Sequence, residues 1–408
     1  MTNRRDARRL TRRQAVALGA ATLLAACQKS AETPTKTAAK PGPGAPTPTP
    51  PPPPAQAKRS IVVYCSADSD LAKPIFETFT RKTGIAVNPV FDTEATKTTG
   101  LVTRLLQEKD RPRADACWFS EPMGTLRLAR AGVLDDTTSP VAENEMKEKG
   151  GWPRLLRDQR WLEDKATGAT GPRWYAFGSR ARVLAFNTKH LKREDVPISY
   201  APLAAEPFAG HIGMARPEFG TTRGHIASLV NGWGRGAAGD WLRQLKDAGV
   251  RIYDGNSAVA RAVGTGEIHL GFADSDDVFA GQREKWPIDM AFIKCPNPGA
   301  KLIQKNNPRW GEFQPYAQTG TLMLPNMVSR VRGGQNPAGA IALADFLLSG
   351  ETQRTLAMSE SRNVPVDPDM AKELSTWLPP ADDIVVPDLE DVADVVDQTM
   401  ALCESIFG

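Results

Sequence analysis

Carboxylates gather at the ends of apolar runs in this sequence. Ile61-Val62-Val63-Tyr64 is followed by Asp68, and Ile85 to Phe91 by Asp92 and Glu94. Ala114 to Phe119 is followed by Ser120 and Glu121, and His269 to Phe272 by Asp274, Asp276 and Asp277. Carboxylate oxygens are hard donors suited to Fe(III), Mn²⁺, Ca²⁺ or Mg²⁺, and they pair equally with an ammonium group. A second set is of the opposite kind: Arg180, Arg182, Thr221, Thr222 and Arg223. Thr221 and Thr222 stand just before an apolar helix read over about 225–233, where N–H groups and the helix dipole attract anions. Acid on one wall and anion donors on the other fit a metal with an anion, or a zwitterion such as an aminoalkylphosphonate. The plainer alternative makes Asp276 and Asp277 a solvated helix cap and Arg182 a surface ion pair.

Catalytic patterns are missing. The four histidines are His190, His211, His225 and His269, and none sits in a His-Glu-x-x-His pattern. No Gly-x-Ser-x-Gly elbow or phosphate loop occurs. Gly232-x-Gly234-x-Gly236 lacks dinucleotide-binding spacing and reads as a helix terminator. A binding protein without a required cofactor is therefore expected rather than an enzyme, with a tethered hydrolase as the alternative. After Cys27 the cysteines are Cys65, Cys117, Cys295 and Cys403, with no Cys-x-x-Cys spacing for structural zinc. Cys65 and Cys117 stand at or near the ends of expected strands, which leaves a disulfide between them open beside four buried thiols.

The elements that position these groups alternate. Strands are read at 61–64, 85–91, 114–119, 183–186, 212–215, 251–253, 269–272 and 320–324. Helices are read at 71–83, 96–109, 124–131, 241–248, 256–263, 338–348, 352–358 and 389–407. Such alternation predicts a mainly parallel sheet with ligands beyond the carboxyl ends of its strands. A chain of 408 residues exceeds what one core comfortably fills, so two lobes are expected.

The N-terminus reads as an export signal. Six arginines against Asp6 put +5 in the first 26 residues, so the remainder carries −1 of the total +4. Without a net basic domain, nucleic-acid binding loses its electrostatic support. Thr11-Arg12-Arg13-Gln14-Ala15-Val16 resembles a twin-arginine export motif, with Ala and Val in place of Phe-Leu. The apolar run from Ala15 to Ala26 is too short to span a membrane. It ends at Leu24-Ala25-Ala26-Cys27, which resembles a lipobox that would make Cys27 an acylated N-terminus. Ten prolines between Pro34 and Pro54 then form an extended tether.

The stretch from about 59 to 365 resembles the extracellular solute-binding proteins of bacterial ABC importers, and most of all the ferric-iron-binding branch. The resemblance is carried by Tyr64-Cys65-Ser66-Ala67-Asp68, Phe91-Asp92-Thr93-Glu94-Ala95, Ser179-Arg180-Ala181-Arg182-Val183-Leu184, Asn256-Ser257-Ala258-Val259 and Phe346 to Gln353. It implies an α/β fold of the two-lobed periplasmic-binding type, with crossing hinge strands and a ligand in the cleft. The expected organisation is a signal at 1–27, a tether at 28–58, one lobe from 59–178 and 320–408, and the other from 179–319. It further implies a monomer, on the periplasmic or cell-surface side and held there by the Cys27 anchor, that delivers a ligand to an ABC permease in the inner membrane. The implied ligand is ferric iron or another hard cation with an anion, or else a phosphonate or phosphorylated zwitterion. Asp68, Glu94, Ser120, Arg180, Arg182, Thr221, Thr222, Asp274, Asp276 and Asp277 form the implied site, with Asp68, Glu94, Asp276 and Asp277 toward metal. The chain departs from the ferric binders in one respect. Asp276 and Asp277 take the places of the two ligating tyrosines, and Asp68 falls near the branch's first-loop histidine.

Overall fold

The computed structural model describes residues 60–92, 98–145, 161–164, 169–296, 318–380 and 383–408. The export segment with Cys27, the proline-rich stretch and Glu94 lie outside the described residues. The chain begins β1 (Ser60–Cys65), α1 (Ser69–Thr83), β2 (Ala86–Phe91), α2 (Thr99–Gln107), β3 (Ala116–Phe119), α3 (Pro122–Arg130) and α4 (Pro140–Glu145). It continues β4 (Trp161–Asp164), β5 (Ala169–Pro172), β6 (Tyr175–Asn187), β7 (Ile212–Ala215), α5 (Gly220–Trp233), α6 (Arg235–Asp247), β8 (Arg251–Tyr253) and α7 (Asn256–Thr265). Next are β9 (Leu270–Asp274), α8 (Ser275–Arg283), β10 (Ile288–Phe292), β11 (Cys295–Pro296) and β12 (Gln318–Arg330). The last elements are α9 (Pro337–Leu348), α10 (Gly350–Met358), α11 (Pro368–Leu374), β13 (Ile384–Val385) and α12 (Leu389–Phe407).

Local chemistry explains the helices that matter for the site. In α1 the residues Ala72, Ile75, Phe76 and Phe79 fall on one face and are buried. Gly84 ends the helix at φ +72°, where its N–H reaches the Thr80 carbonyl, a conformation that suits glycine. Helix α3 starts on Glu121, whose carboxylate accepts from the N–H groups of Met123 and Gly124.

The main sheet runs β2-β1-β3-β12-β6-β9-β7-β8. β1 pairs in parallel with β2 and β3, and β7 in parallel with β8 and β9. Between these two parallel groups β6 and β12, each of 13 residues, run antiparallel to each other and to β9 and β3. These two long strands join the lobes. The sequence pattern marks only 183–186 and 320–324 of them. Their crossing portions carry Gly178, Ser179, Arg180, Pro325 and Asn326, which interrupt the apolar run even though every residue of β6 is buried. The sheet is therefore mixed, because the crossing strands oppose their neighbours.

One lobe buries Trp118 edge-on between Phe76 and Phe177. The other centres on Tyr200, which meets Trp233 and Trp241 edge-on and stacks on Phe272. The C-terminal helix α12 packs against α5, α6 and α3. Cys65 and Cys117 are buried thiols outside any disulfide. In the β1–β3 register Cys117 stands opposite Tyr64 and Cys65 opposite Trp118. The one-residue offset turns the two side chains to opposite faces of the sheet, so the disulfide left open by the sequence is not formed. No described helix is long and apolar enough to cross a membrane.

Candidate ligand site

The site is organised around Asp274, the last residue of β9 and the N-cap of α8. Its Oδ1 accepts from Arg182 at 2.9 Å. Its Oδ2 accepts from Thr221 at 2.6 Å, Asn256 at 3.1 Å and Arg180 Nε at 3.2 Å. Burial alone would raise the pKa of this carboxyl. The charges of Arg182 and Arg180 and the Thr221 hydroxyl overcome that and hold it below the ordinary carboxylate range. Asp277 closes a capping box by accepting from the Asp274 N–H at 3.2 Å.

Arg182 is fully buried beneath the site. Besides Asp274, it donates to Asn256 Oδ1 at 3.0 Å, Thr222 Oγ1 at 3.1 Å and His225 Nδ1 at 3.3 Å. His225 Nε2 meets the Tyr200 hydroxyl at 2.8 Å. Because Nδ1 accepts from Arg182, the proton of the neutral ring sits on Nε2. Burial, and then the Arg182 charge, hold His225 well below the ordinary imidazole range, so the ring stays neutral.

Above this network lies a cleft that opens to solvent. Asp68, Ser120, Arg180, Thr221, Thr222, Asp274, Asp276 and Asp277 line it, which brings together eight of the ten residues expected from sequence. Arg182 is the ninth and lies below the lining rather than in it, spent on Asp274. Glu94 is the tenth and lies outside the described residues. Arg180 is buried and bridges the lobes. It donates to the Ser120 carbonyl at the end of β3, and its Nη1 stands 3.7 Å from Asp276. Burial works against its charge, and Asp276, Asp274, Asp277 and Asp68 together more than restore it. The Ser120 hydroxyl is held by Ser66.

Two expectations are corrected here. Thr221 and Thr222 do not precede the helix; they lie in the first turn of α5, which is capped by Phe219. Neither apolar periodicity nor a side-chain cap marks that start, so the sequence reading began one turn late. Arg223 is not available as an anion donor. It pairs with Glu121 at 2.5 Å, and both residues are buried.

Four helices, α1, α5, α7 and α8, present their N-terminal ends to the cleft. Each end carries roughly half a positive charge. Among the described side chains Arg182 offsets Asp274, and Arg216 offsets Asp254 at 3.1 Å on the rim. Asp68, Asp276, Asp277 and Arg180 complete the charged lining, and with Arg182 the formal charge of this set is −2. One ligand atom each from Asp274, Asp276 and Asp277 lie within 4.8 Å of one another. Asp274 already accepts from four donors, so a metal ion would draw chiefly on Asp276 and Asp277. Leu71, Arg216, Phe219, Asp254 and Asn256 also line the cleft and were not among the expected residues. The signal for Asp254 and Asn256 was present, since they follow the carboxyl end of β8 just as Asp276 and Asp277 follow that of β9.

Comparison with known proteins agrees with this architecture. The family model of bacterial extracellular solute-binding proteins matches residues 75–381. The major ferric iron-binding protein of Neisseria meningitidis is 26% identical over 300 residues, covering 74% of this chain and 79% of that protein. Iron uptake protein A1 of Synechocystis is 24% identical over 304 residues, covering 74% of each. Iron-bound HitA from Pseudomonas aeruginosa superimposes with a TM-score of 0.65 at 21% identity, over 86% of this chain and 99% of that one. AfuA from Actinobacillus pleuropneumoniae, with fructose-6-phosphate bound, gives 0.63 at 19% identity, over 85% and 97%. These two structures share the two-lobed fold.

Proposed function

The chain belongs to the bacterial extracellular solute-binding proteins, and on that premise we propose that it captures a hard metal cation together with an anion and delivers them to an ABC permease. The family is one of binding proteins, not enzymes, and its members act outside the cytoplasmic membrane. The observation that carries the ligand reading is the cleft itself. Three carboxylates, Asp68, Asp276 and Asp277, face one guanidinium, Arg180, beneath converging helix N-termini. A cation suits the carboxylates and an accompanying anion suits the helix starts and Arg180. Curated relatives bear the names of ferric iron-binding and iron-uptake proteins, which supports iron as the metal. The carboxylate pair in place of phenolates leaves the site open to other hard cations as well. The N-terminal motif supports acylation of Cys27, and the proline-rich stretch supports a tether between membrane and lobes.

A second reading is favoured by Thr221 and Thr222 in the first turn of α5 and by the sugar phosphate bound in AfuA. In that reading a phosphorylated or phosphonate zwitterion places its anion on the helix starts and its ammonium on Asp276 and Asp277. Native mass spectrometry with elemental analysis of protein purified from the periplasm separates the two. Co-purifying metal supports the first reading, and a phosphorus-containing organic mass without metal supports the second.

A further inference from the structure

The guanidinium of Arg180 lies on the carboxylates that a cation would use. Among the described residues, Asp274, Asp276 and Asp277 form the group whose ligand atoms come within 4.8 Å of one another. Arg180 spans two of these three, with Nε 3.2 Å from Asp274 Oδ2 and Nη1 3.7 Å from Asp276 Oδ2. Register puts it there. Arg180 stands opposite Leu324 where β6 and β12 cross between the lobes, two residues before the Arg182–Asp274 pair on β6. Its Nη2 donates across the cleft to the Ser120 carbonyl.

The three contacts are unequal. Those to Asp274 and to the Ser120 carbonyl are hydrogen bonds to groups fixed by the sheet. The contact to Asp276 is longer than a hydrogen bond and is held by charge. Asp276 also belongs to the mouth of the cleft, its side chain 19% exposed against 4% for Asp274. Its Oδ1 accepts from the Asp277 N–H at 3.2 Å, so Oδ2 is the oxygen that faces Arg180. Asp276 is therefore the carboxylate that an incoming cation can take from Arg180 with the least disturbance.

We propose that Arg180 is a resident competitor for the ligand's cation: its guanidinium holds the cation's place on Asp276, and a metal binds by parting the two. The inference rests on the reading of Asp276 and Asp277 as cation ligands. The metal takes Asp276 and Asp277, while Arg180 keeps Asp274 and the Ser120 carbonyl and turns its freed Nη1 to the cleft. Arg180 thereby sets specificity by charge. The attraction of a carboxylate pair for an ion scales with the ion's charge, so a divalent or trivalent cation displaces the guanidinium and Na⁺ or K⁺ does not. Removing Arg180 should then tighten metal binding, the opposite of what removing an ordinary site residue does.

Calorimetric titration of the metal-stripped, purified full-length protein with Mn²⁺ alone tests this. Arg180→Gln should bind Mn²⁺ about tenfold or more tighter than wild type, since one nearby positive charge is gone. Arg180→Lys keeps the charge but cannot fork across two carboxylates, so its affinity should fall between the two. In Arg180→Ala, guanidinium chloride below denaturing concentrations should compete with Mn²⁺, whereas NaCl at equal ionic strength should not. Mn²⁺ affinity in Arg180→Gln and Arg180→Lys at or below the wild-type value overturns the proposal, as does guanidinium acting no differently from NaCl. The cation reading beneath it is judged separately by Asp276→Asn with Asp277→Asn. If that pair weakens Mn²⁺ binding while the Arg180 changes do not strengthen it, the competitor is wrong and the cation reading stands. If that pair has no effect, both fail.

Discussion

Arg182 and Asp274 stand directly opposite each other across the antiparallel β6–β9 ladder, and their side chains meet at 2.9 Å in a fully buried ion pair. The pair is a consequence of register, and it fixes both strands beneath the cleft. Removing one partner of a buried pair strands the other charge, at about 3–5 kcal/mol. Arg182→Met should therefore lower the unfolding free energy of the unliganded protein by roughly that amount in urea titrations. A loss below about 1 kcal/mol would mean that Arg180, Thr221 and Asn256 suffice to hold Asp274.

The same network predicts acid sensitivity. His225 is held well below the ordinary imidazole range in the fold, so the unfolded chain binds its proton first as pH falls. Its stabilising contribution is complete above about pH 6.5 and is lost as pH falls from there toward the folded value. His269 acts in the same direction, and Asp274 follows only below the ordinary carboxylate range. Unfolding free energy should thus drop between pH 6.5 and 5 by up to about 1.4 kcal/mol per pH unit for each histidine. His225→Gln should flatten that slope. An identical slope in the variant would exclude His225 as its source.

Glu121 and Arg223 tie the end of β3 to α5, one from each side of the cleft. Glu121 is completely buried and already caps α3 through the N–H groups of Met123 and Gly124. Those two bonds soften the loss of the partner, so Arg223→Met should cost about 3 kcal/mol, the lower end for a buried pair. With the tie removed, small-angle scattering of the unliganded variant should give a larger radius of gyration than wild type. Equal radii would show that the crossing strands alone set the lobe separation.

Much of this arrangement is legible from the residues. Helix α12 was read at its observed limits, 389–407, because its apolar spacing is unbroken and Asp388 caps it. The carboxyl-end rule led to Asp68, Ser120, Asp274, Asp276 and Asp277, all of which line one cleft. The crossing strands were under-read, since they bury Ser179, Arg180 and Arg182 through long-range partners that no local pattern reveals. Arg182 and Arg223 were placed with the anion donors for the same reason. An arginine's type announces a charge, but only the fold shows that Asp274 and Glu121 already answer it. The stacking of His190 and His211 on His269 was equally hidden, because the three are far apart in sequence and are brought together by the β7–β9 register and the turn after β6.

The N-terminal reading makes its own prediction. Cys27→Ala should accumulate as a larger precursor or be released in soluble form when cells are fractionated and blotted. Variant protein that stays membrane-bound at wild-type size would remove the lipid anchor from the account.

The central claim is that Asp276 and Asp277 hold the cation of the ligand, and calorimetric titration of the metal-stripped protein with ferric citrate and with Mn²⁺ tests it most directly. Asparagine keeps the shape and cap-accepting oxygen at both positions while removing the charge. Charge-assisted contacts are worth roughly 1.5–3 kcal/mol, and tenfold in affinity is ~1.4. Asp276→Asn with Asp277→Asn should weaken binding of the preferred metal by about tenfold to a thousandfold. The melting temperature of the unliganded variant should stay equal or fall modestly, because relief of the repulsion between the two aspartates is offset by the charge lost beside Arg180 and at the start of α8. Metal binding at wild-type affinity in the double variant would contradict the claim and reduce the two aspartates to a helix cap.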